Sequence, residues 1–345
     1  MKKFLKWYVP FFVLAALLVF FAYRMDAAKP VEAAVDTVSQ NDDYNAAAEE
    51  ETPAIPPPVI NEEKDTRITV GPQYSQKLVE EGSRNILLIG EDKLNDLYDT
   101  ICIASIDPKS EKLKLIMIPR DTYIEYGNDI AGYLDKTGKS ASPGIYKINC
   151  AHLIGGMVKY KGKFNSGPSS FLAQVIKEKF GVEVDDYVKI NTKGFASLVD
   201  LYDGVDYNVP YAMNFDDPTQ DLHIHLKKGQ QHLDGAAAEG FVRFRQGYRE
   251  DGTFFEVGDT GRKKNQLSFI QAFIKQHGTV AKIDKVPKLI NLLGKNVQHS
   301  IGVGDVLQVY MKLAKDIITD KFAIETVNLE GAQKKISGSA YVLLE

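Results

Sequence analysis

A continuous apolar run near the N-terminus restricts which part of the chain can fold in water. It spans 17 residues, 7–23, follows three lysines and contains no acidic residue. This length is near the lower limit for a membrane-spanning helix, and lysines before such a helix stay in the cytoplasm. A cleaved signal peptide is the alternative, but no clear pair of small residues marks a cleavage site. We predict an uncleaved anchor over residues 1–25.

The segment after this anchor has the composition of a tether. Residues 26–65 contain 11 acidic residues against two lysines, and they include three consecutive prolines at 56–58. Such a segment cannot bury enough apolar surface to offset the entropy of ordering it. We therefore predict a linker over residues 26–80 and one extracytoplasmic domain over residues 81–345.

Acidic and basic residues nearly balance in the remainder of the chain. The domain therefore lacks the overall positive field with which proteins grip nucleic acid, and we predict no nucleic-acid partner. Any recognition of an anion must come from arginines that cluster locally.

The apolar pattern of the domain predicts a mixed α/β fold. Strand-like runs occupy residues 85–89, 100–106, 113–118, 186–191 and 205–209, and helical patterns occupy residues 168–180, 192–202, 235–241 and 261–276. The second and third runs flank an Asp-Pro turn, which indicates a hairpin. Because the first strands are almost wholly apolar, helices should cover both faces of the sheet. We predict a three-layer α/β/α sandwich with a mixed central sheet.

Two further features complete the fold prediction. Residues 127–146 are rich in glycine and serine and predict a long loop. Cys102 and Cys150 are too few for a disulfide scaffold, and Cys102 lies in an apolar run. We predict two unpaired, buried thiols.

Two aspartates lie where the first two strands meet. Asp92 follows the first strand, and Asp99 precedes the second. Two such carboxylates could share Mg²⁺ with the phosphate oxygens of a substrate. Acidic residues are also common as solvated turn residues where loops leave a sheet, so both interpretations remain open.

Arginines follow two of the other predicted elements. Arg120 ends the third strand, at an edge where α/β sheets bind ligands, although a structural ion pair is an equal alternative. Arg243 and Arg245 follow a predicted helix, and in extended chain their side chains would point to one side. Paired guanidinium groups suit a pyrophosphate, and a solvated ion-pair patch is the alternative.

A third arginine site lies at the start of the last predicted helix. If that helix begins near Gly261, Arg262 and Gln266 lie four residues apart on one face near its N-terminus. The helix dipole favours an anion there. Lys263 and Lys264 are predicted to face solvent.

Three histidines raise the question of a zinc site. His223 and His225 alternate onto one face of a strand-like segment, and His232 follows. No cysteine or acidic residue stands at a convincing spacing from them, so we do not predict structural zinc.

Seven segments over residues 85–276, taken in order, resemble the LytR-CpsA-Psr family of cell-wall glycopolymer transferases. They are residues 85–90 (NILLIG), 99–100 (DT), 118–122 (IPRDT), 147–149 (KIN), 200–205 (DLYDGV), 242–245 (VRFR), and Asp259 with Arg262 and Gln266. No single segment is decisive, but their order behind an anchor and a tether is highly specific.

The resemblance implies roles for particular residues. It makes Asp92 and Asp99 the ligands of Mg²⁺, or of Mn²⁺ in its place, and it adds Arg120 as a catalytic residue. Asp259 orients the helix arginine, and the chain departs from the family at Asn265, where arginine is frequent. An apolar groove should hold the lipid tail. The residues implied at the pyrophosphate head group are Arg120, Lys147, Arg243, Arg245, Asp259, Arg262 and Gln266.

The implied function is a phosphotransfer that moves a glycopolymer, such as teichoic acid or capsule, from a polyprenyl pyrophosphate carrier to a peptidoglycan hydroxyl. The N-terminal helix would hold the enzyme in the cell membrane with its domain outside. A pyrophosphatase that releases the glycan to water would use the same residues. A non-catalytic regulator that binds the lipid carrier is the third hypothesis, but it would not require a metal pair beside a phosphate site.

Overall fold

A computed structural model describes residues 55–58, 67–91, 97–220, 222–277, 297–301, 309, 313 and 322–345. The predicted anchor and most of the predicted tether lie outside these residues, as does Asp92. None of the helices in the described ranges has both the length and the apolar composition needed to cross a membrane.

Runs of strands are separated by helices along the chain. The strands are β1 (Arg84–Glu91), β2 (Tyr98–Asp107), β3 (Lys112–Ile118), β4 (Asp186–Asn191), β5 (Val205–Val209), β6 (Met213–Asp217), β7 (Leu222–Leu226), β8 (Gly229–Leu233), β9 (Gln246–Tyr248), β10 (Phe254–Glu256), β11 (Val297–His299), β12 (Ala323–Asn328), β13 (Ala332–Ile336) and β14 (Ser339–Leu343). The helices are α1 (Asn128–Lys136), α2 (Ala151–Met157), α3 (Gly167–Phe180), α4 (Thr192–Leu201), α5 (Gly235–Arg243) and α6 (Gly258–His277).

Six strands form a mixed central sheet in the order β11-β4-β1-β2-β3-β12. The pairs β1 with β4 and β3 with β12 are parallel, whereas β1–β2, β2–β3 and β4–β11 are antiparallel. Strands β2 and β3 form the predicted hairpin, and β4 and β5 have the predicted bounds. The prediction of a mixed α/β fold is confirmed.

Helices pack on both faces of this sheet, as its almost wholly apolar strands require. Leu87 and Ile103 face a core with Phe171 and Leu172 of α3. The alternate residues of the same strands, such as Ile86 and Cys102, face a second core that includes Leu267 of α6. The sheet is therefore buried between two helical layers.

A second, smaller sheet has the order β10-β9-β6-β7. Its inner face packs with α5 around Phe241, Phe244 and Ile224, and Phe269 of α6 joins the same core. Helix α6 therefore packs both against the central sheet and into the core under the smaller one.

Three sequence-based expectations differ from the structure. Residues 127–146 are not one long loop, because α1 buries Ile130 and Leu134. The linker predicted over 26–80 ends earlier, because Ile68 and Leu78 belong to the core and Glu178 accepts a hydrogen bond from the main-chain N–H of Ile68. Helix α6 begins at Gly258 rather than near Gly261, so Asp259 lies in its first turn.

The expectation for the two cysteines is confirmed. Cys102 and Cys150 are both buried and unpaired. Burial raises the pKa of the Cys102 thiol to about 12 and that of Cys150 to about 11. Burial thus disfavours the thiolate, which is the nucleophilic form of cysteine.

Candidate functional site

The site begins with a pair that the central hairpin places opposite each other. Strands β2 and β3 pair Ile101 with Ile118. Asp99 lies two residues before Ile101 on β2, and Arg120 lies two residues after Ile118, just past the end of β3. Nη1 of Arg120 donates a hydrogen bond to Oδ1 of Asp99. The register of one antiparallel hairpin therefore brings together an acid and an arginine that are 21 positions apart in the sequence.

Asp99 lies in an irregularity of the ladder between β1 and β2. Gly90 pairs with Thr100, whereas the next residue, Glu91, pairs with Tyr98, so Asp99 is the extra residue on β2. Bulges of this kind redirect a side chain and are common beside active sites. Gly90 permits the close approach, because an added Cβ would lie 2.9 Å from the Thr100 Cβ.

Arg262 approaches the same carboxylate from α6. Its Nη1 donates to Oδ2 of Asp99 at 3.0 Å, and its Nη2 donates to Oδ1 of Asp259 at 2.6 Å. The Arg262 side chain is only 3% exposed. Asp259 lies in the first turn of the helix, where the dipole favours a negative charge. The two carboxylates therefore fix one guanidinium group.

Arg245 is the third arginine at Asp99, and it is less enclosed than the other two. Its Nη2 lies 3.4 Å from Oδ2 of Asp99, and its side chain is 38% exposed. Phe244, just after α5, is buried, and the main-chain carbonyl of Arg245 accepts hydrogen bonds from Val257 and Gly258. These contacts fix the main chain while the guanidinium group remains open to solvent.

The spacing of Arg243 and Arg245 predicted that their side chains point to one side, and the structure differs. Arg243 is the last residue of α5 rather than part of an extended segment, and its Nη1 lies 2.7 Å from Oε1 of Glu239 one helical turn earlier. The side chains of Arg243 and Arg245 therefore have different carboxylate partners. Arg243 still lines the same cavity as Arg262 and Asp99.

Two lysines extend the ion-pair network. Lys147 contacts Oδ1 of Asp121 at 2.8 Å, and Asp121 lies 3.8 Å from Nε of Arg120. Lys263 contacts Asp259 at 3.5 Å, and its side chain is 6% exposed. The prediction that Lys263 faces solvent is wrong, because the earlier start of α6 turns this residue toward Asp259. Lys264 is exposed, as expected.

Cations outnumber carboxylates in the connected network. Five cations share three carboxylates, and the members are Arg120, Lys147, Arg245, Arg262 and Lys263 with Asp99, Asp121 and Asp259. Within the described part of the chain, Nε of Arg120 and Nε of Arg262 have no hydrogen-bond acceptor. The network therefore has a surplus of positive charge and of hydrogen-bond donors.

The pKa values in the cluster follow from this arrangement. Burial opposes ionisation of Asp99, but the charges of Arg262, Arg120 and Arg245 outweigh it and hold the pKa of that carboxyl below its usual range. Burial, together with repulsion from Arg262 and Arg120, lowers the pKa of Arg245 to about 10. The charge of Arg245 is thus poorly compensated, and an added anion would stabilise it.

An apolar cavity of about 300 Å³ opens beside the cluster. It runs between the central sheet and α6, and its polar end carries Asp99, Arg262, Arg243 and Gln266. Its walls include the apolar side chains Leu88, Val188, Phe195, Phe269, Ile270 and Leu313. A ligand that suits this space has an anionic head and an apolar tail.

Gln266 and Asn265 face different surroundings on α6. Gln266 lines the cavity and donates from Nε2 to the Val242 carbonyl oxygen at 3.2 Å, while its Oε1 has no hydrogen-bond partner among the described residues. Asn265 instead lies within 3.3 Å of the Tyr211 hydroxyl. The departure from the family pattern at Asn265 therefore lies outside the ion-pair network at Asp99.

Most of the predicted site residues come together. Asp99, Arg120, Arg245, Asp259 and Arg262 form direct contacts, Lys147 joins through Asp121, and Arg243 and Gln266 line the cavity. Asp92 is outside the described residues. The pairing of Glu239 with Arg243 was not predicted, although a spacing of four residues on a helix could have indicated it.

Comparisons with known proteins agree with this architecture. A model of the LytR_cpsA_psr family matches residues 37–345. The chain is 30% identical over 280 residues to the polyisoprenyl-teichoic acid–peptidoglycan teichoic acid transferase TagU of Oceanobacillus iheyensis, covering 79% of this chain and 74% of that protein. It is 27% identical over 212 residues to the Bacillus subtilis transferase of the same description, TagV, covering 61% of this chain and 46% of TagV. The crystal structure of B. subtilis TagV superposes with a TM-score of 0.53 at 22% identity, covering 77% of this chain and 92% of that one, which shows a shared fold.

Proposed function

The chain belongs to the LytR-CpsA-Psr family, and we propose that it is a phosphotransferase that moves a glycopolymer from a polyprenyl pyrophosphate carrier to a hydroxyl of peptidoglycan. The names of TagU and TagV, which describe polyisoprenyl-teichoic acid–peptidoglycan teichoic acid transferases, support this choice of substrates. Teichoic acid is the glycopolymer that these names favour.

The observation that carries the proposal is the convergence of Arg120, Arg245 and Arg262 on Asp99 at the mouth of an apolar cavity. Asp259 also contacts Arg262, but the connected network still holds five cations against three carboxylates. Each phosphate of a pyrophosphate diester carries negative charge and several oxygens that accept bidentate hydrogen bonds from arginine. A pyrophosphate therefore matches both the charge surplus and the donor geometry.

The cavity provides a binding space for the lipid part of the carrier. Its apolar walls suit the isoprenoid tail, and Arg262 and Gln266 lie where the tail would join the phosphate. A cavity of about 300 Å³ holds only part of a long isoprenoid, so the remainder would extend beyond the described walls. Burial of that apolar surface would supply binding energy of about 25 cal/mol per Å².

The proposed reaction is a displacement at phosphorus. The acceptor hydroxyl oxygen attacks the glycan-proximal phosphorus, the pyrophosphate P–O bond breaks, polyprenyl phosphate departs, and the hydroxyl proton goes to a base. Arg120, Arg245 and Arg262 would stabilise the charge that develops on the phosphate oxygens, which is usually the largest contribution in such reactions. Two of the three, Arg120 and Arg262, are largely buried and positioned before a substrate arrives.

Asp99 is poorly suited to be that base. Burial alone would raise its pKa, but Arg262, Arg120 and Arg245 hold the value below the usual range, and both carboxylate oxygens already accept hydrogen bonds. Asp259 has a lowered pKa as well, because Arg262 and Lys263 outweigh the effect of its burial. A base with a pKa near the working pH is more effective, so we assign both aspartates to positioning the arginines.

Mg²⁺ fits this site only together with bound phosphate. Asp99 offers the oxygen ligands that Mg²⁺ prefers, and we propose Asp92 as its second carboxylate ligand. Because three guanidinium groups already contact Asp99, phosphate oxygens must complete the coordination and offset the charge repulsion. When bound, Mg²⁺ would supply further charge neutralisation at the phosphates.

We also place the enzyme at the cell membrane. The apolar run over residues 7–23 and the lysines before it would hold the N-terminus in the cytoplasm. The domain would then work outside the membrane, within reach of a carrier whose isoprenoid tail remains in the bilayer.

Product analysis tests the proposal. The full-length chain would be incubated with a polyprenyl pyrophosphate-linked glycan, with and without peptidoglycan. We expect polyprenyl phosphate release and covalent attachment of the glycan to peptidoglycan through a phosphodiester. Release of glycan phosphate at equal rates without the acceptor would indicate a pyrophosphatase, and absence of turnover with intact lipid binding would indicate a regulator.

A further inference from the structure

The smaller sheet turns one face to solvent, and that face carries a cluster unrelated to the arginine network. Strands β6 and β7 pair Asn214 with His225 and Asp216 with His223. All four side chains are exposed, while the residues between them face the core. The antiparallel register therefore supplies the acidic partner that sequence spacing did not reveal.

Three of these side chains present metal-binding atoms to one another. The ligand atoms of Asp216, His223 and His225 all lie within 4.8 Å of one another. Oδ1 of Asp216 is 2.6 Å from Nδ1 of His223 and 3.3 Å from Nε2 of His225. We propose that Asp216, His223 and His225 form a surface site for a divalent transition-metal ion of the Zn²⁺ class.

The hydrogen bond to Asn214 orients His225 for this role. Nδ1 of His225 lies 2.6 Å from Oδ1 of Asn214, and an amide oxygen can only accept, so Nδ1 carries the proton. In the neutral ring, Nε2 then directs a lone pair toward the carboxylate oxygen of Asp216. A cation between these two acceptors relieves their repulsion. Metal-bound histidines commonly make such a bond through the second ring nitrogen.

The spacing also suits zinc. Two ligands that are each about 2 Å from a tetrahedral Zn²⁺ lie roughly 3.3 Å apart, which matches the separation of 3.3 Å between His225 and Asp216. The shorter contact of His223 is a hydrogen bond that the metal would replace, and both exposed side chains can rotate to admit it. Imidazole and carboxylate ligands suit Zn²⁺, and water would complete the coordination.

The chain provides a matched control. His232 contacts Asp206 at 2.8 Å across β5 and β8, with an exposure similar to that of His223. This pair has the same chemistry but belongs to no cluster of three metal-binding residues in the described part of the chain. His232→Ala should therefore leave metal binding unchanged.

Metal titration of the purified full-length chain tests the site. We expect one equivalent of Zn²⁺ to bind in calorimetry with a competing chelator, and Co²⁺ to give ligand-field absorption bands at the same stoichiometry. His223→Ala, His225→Ala and Asp216→Asn should each abolish these bands or weaken binding at least tenfold. Asn214→Ala, which removes a positioning residue, should weaken binding by about ten- to a hundredfold.

The controls separate this site from the arginine cluster. Arg245→Ala should not affect Zn²⁺ binding. The proposal is overturned if the wild type binds no Zn²⁺ stoichiometrically, or if His232→Ala weakens binding as much as His223→Ala does. It is also overturned if Zn²⁺ binds with equal affinity to the three ligand variants.

Discussion

The guanidinium group of Arg262 contacts both the side chain and the main chain of Asp99, although the two residues are 163 positions apart in the sequence. Nη1 reaches the Asp99 carboxylate at 3.0 Å, and Nη2 reaches its carbonyl oxygen at 3.4 Å. One buried guanidinium group thus links the start of β2 to the first turns of α6. A cation held in this way loses little conformational freedom when an anion binds, which favours affinity.

The Asp99 contacts predict a pH-dependent loss of stability in Asp99→Asn. Because the folded-state pKa of Asp99 is lowered from 3.8, its stabilising contribution is complete above that value and is lost as the pH falls through the folded pKa. We expect the variant to lose about 1 to 3 kcal/mol of unfolding free energy at pH 7. The difference from wild type should shrink in acid, as measured by urea unfolding between pH 7 and the lowest pH at which both proteins fold.

A pH-independent difference would contradict this electrostatic role. Glu81→Gln, which removes an exposed carboxylate, controls for the general effect of losing one negative charge. We expect that control to change the unfolding free energy by less than about 0.5 kcal/mol.

The same substitution should have the opposite effect on anion binding. Asp99 contacts Arg120, Arg245 and Arg262, so in the proposed site it would compete with a phosphate for them. In Mg²⁺-free buffer, Asp99→Asn should therefore bind inorganic pyrophosphate more tightly than wild type, as measured by calorimetry, while transfer activity falls. Weaker binding in the variant would mean that the three arginines are not the anion site.

Arg245 and Arg243 should differ in their contributions to head-group binding, although they are two residues apart. Arg245 is partly exposed and has its pKa lowered to about 10 by burial and by neighbouring arginines. Arg243 has a short contact with Glu239. We expect Arg245→Ala to weaken binding of a polyprenyl pyrophosphate analogue by about ten- to a hundredfold, and Arg243→Ala to weaken it less.

A third arginine serves as the control for this comparison. Arg249 lies between β9 and β10, and its guanidinium group stacks over the Phe255 ring at 4.3 Å. Arg249→Ala should leave the affinity nearly unchanged, whereas Arg245→Lys should be impaired because lysine lacks the planar fork. Equal losses in all three alanine variants would indicate a diffuse electrostatic effect instead of a specific phosphate contact.

Mg²⁺ binding should depend on the phosphate ligand. Because Asp99 already contacts three guanidinium groups, we expect weak binding of Mg²⁺ to the protein alone and stronger binding when a polyprenyl phosphate is present. Calorimetric titration with and without the lipid measures this coupling. Chelation should abolish transfer, and full activity in excess chelator would remove Mg²⁺ from the mechanism.

Local sequence patterns predicted the strands and helices that carry the site residues better than they predicted which side chains contact one another. The apolar runs and the Asp-Pro turn gave the β2–β3 hairpin, and its register places Asp99 opposite Arg120. The start of α6 was less predictable, because Gly258 and Asp259 also fit a loop. That error placed Lys263 in solvent, whereas it is buried against Asp259.

Partners set by strand register could not be predicted where a strand lacks a clear sequence pattern. Asp216 faces His223, seven positions later, only because β6 pairs with β7 in one register, and the short β6 segment has no clear strand pattern. The pairing of Arg243 with Glu239 is different, because it follows from helical spacing alone. Strand register and exact helix starts therefore limited the prediction of the site.

Gly90 should be required for the bulge that directs Asp99. An alanine Cβ would lie 2.9 Å from the Thr100 Cβ and 3.0 Å from its Oγ1, so β1 and β2 would have to separate. We expect Gly90→Ala to cost about 1 to 3 kcal/mol of unfolding free energy, which is typical of overpacking. Displacement of Asp99 should also lower transfer activity.

A double-mutant cycle isolates the cause of that cost. Thr100→Gly removes both clashing atoms and leaves only the Thr100 Cα, at 3.9 Å from the added Cβ. Gly90→Ala should therefore cost much less in the Thr100→Gly background, which gives a favourable coupling energy in urea unfolding. Gly132→Ala, where the added Cβ meets no atom within 4 Å, serves as the control and should not destabilise the protein. Strictly additive effects of the two substitutions would show that the close approach of Gly90 to Thr100 does not shape the site.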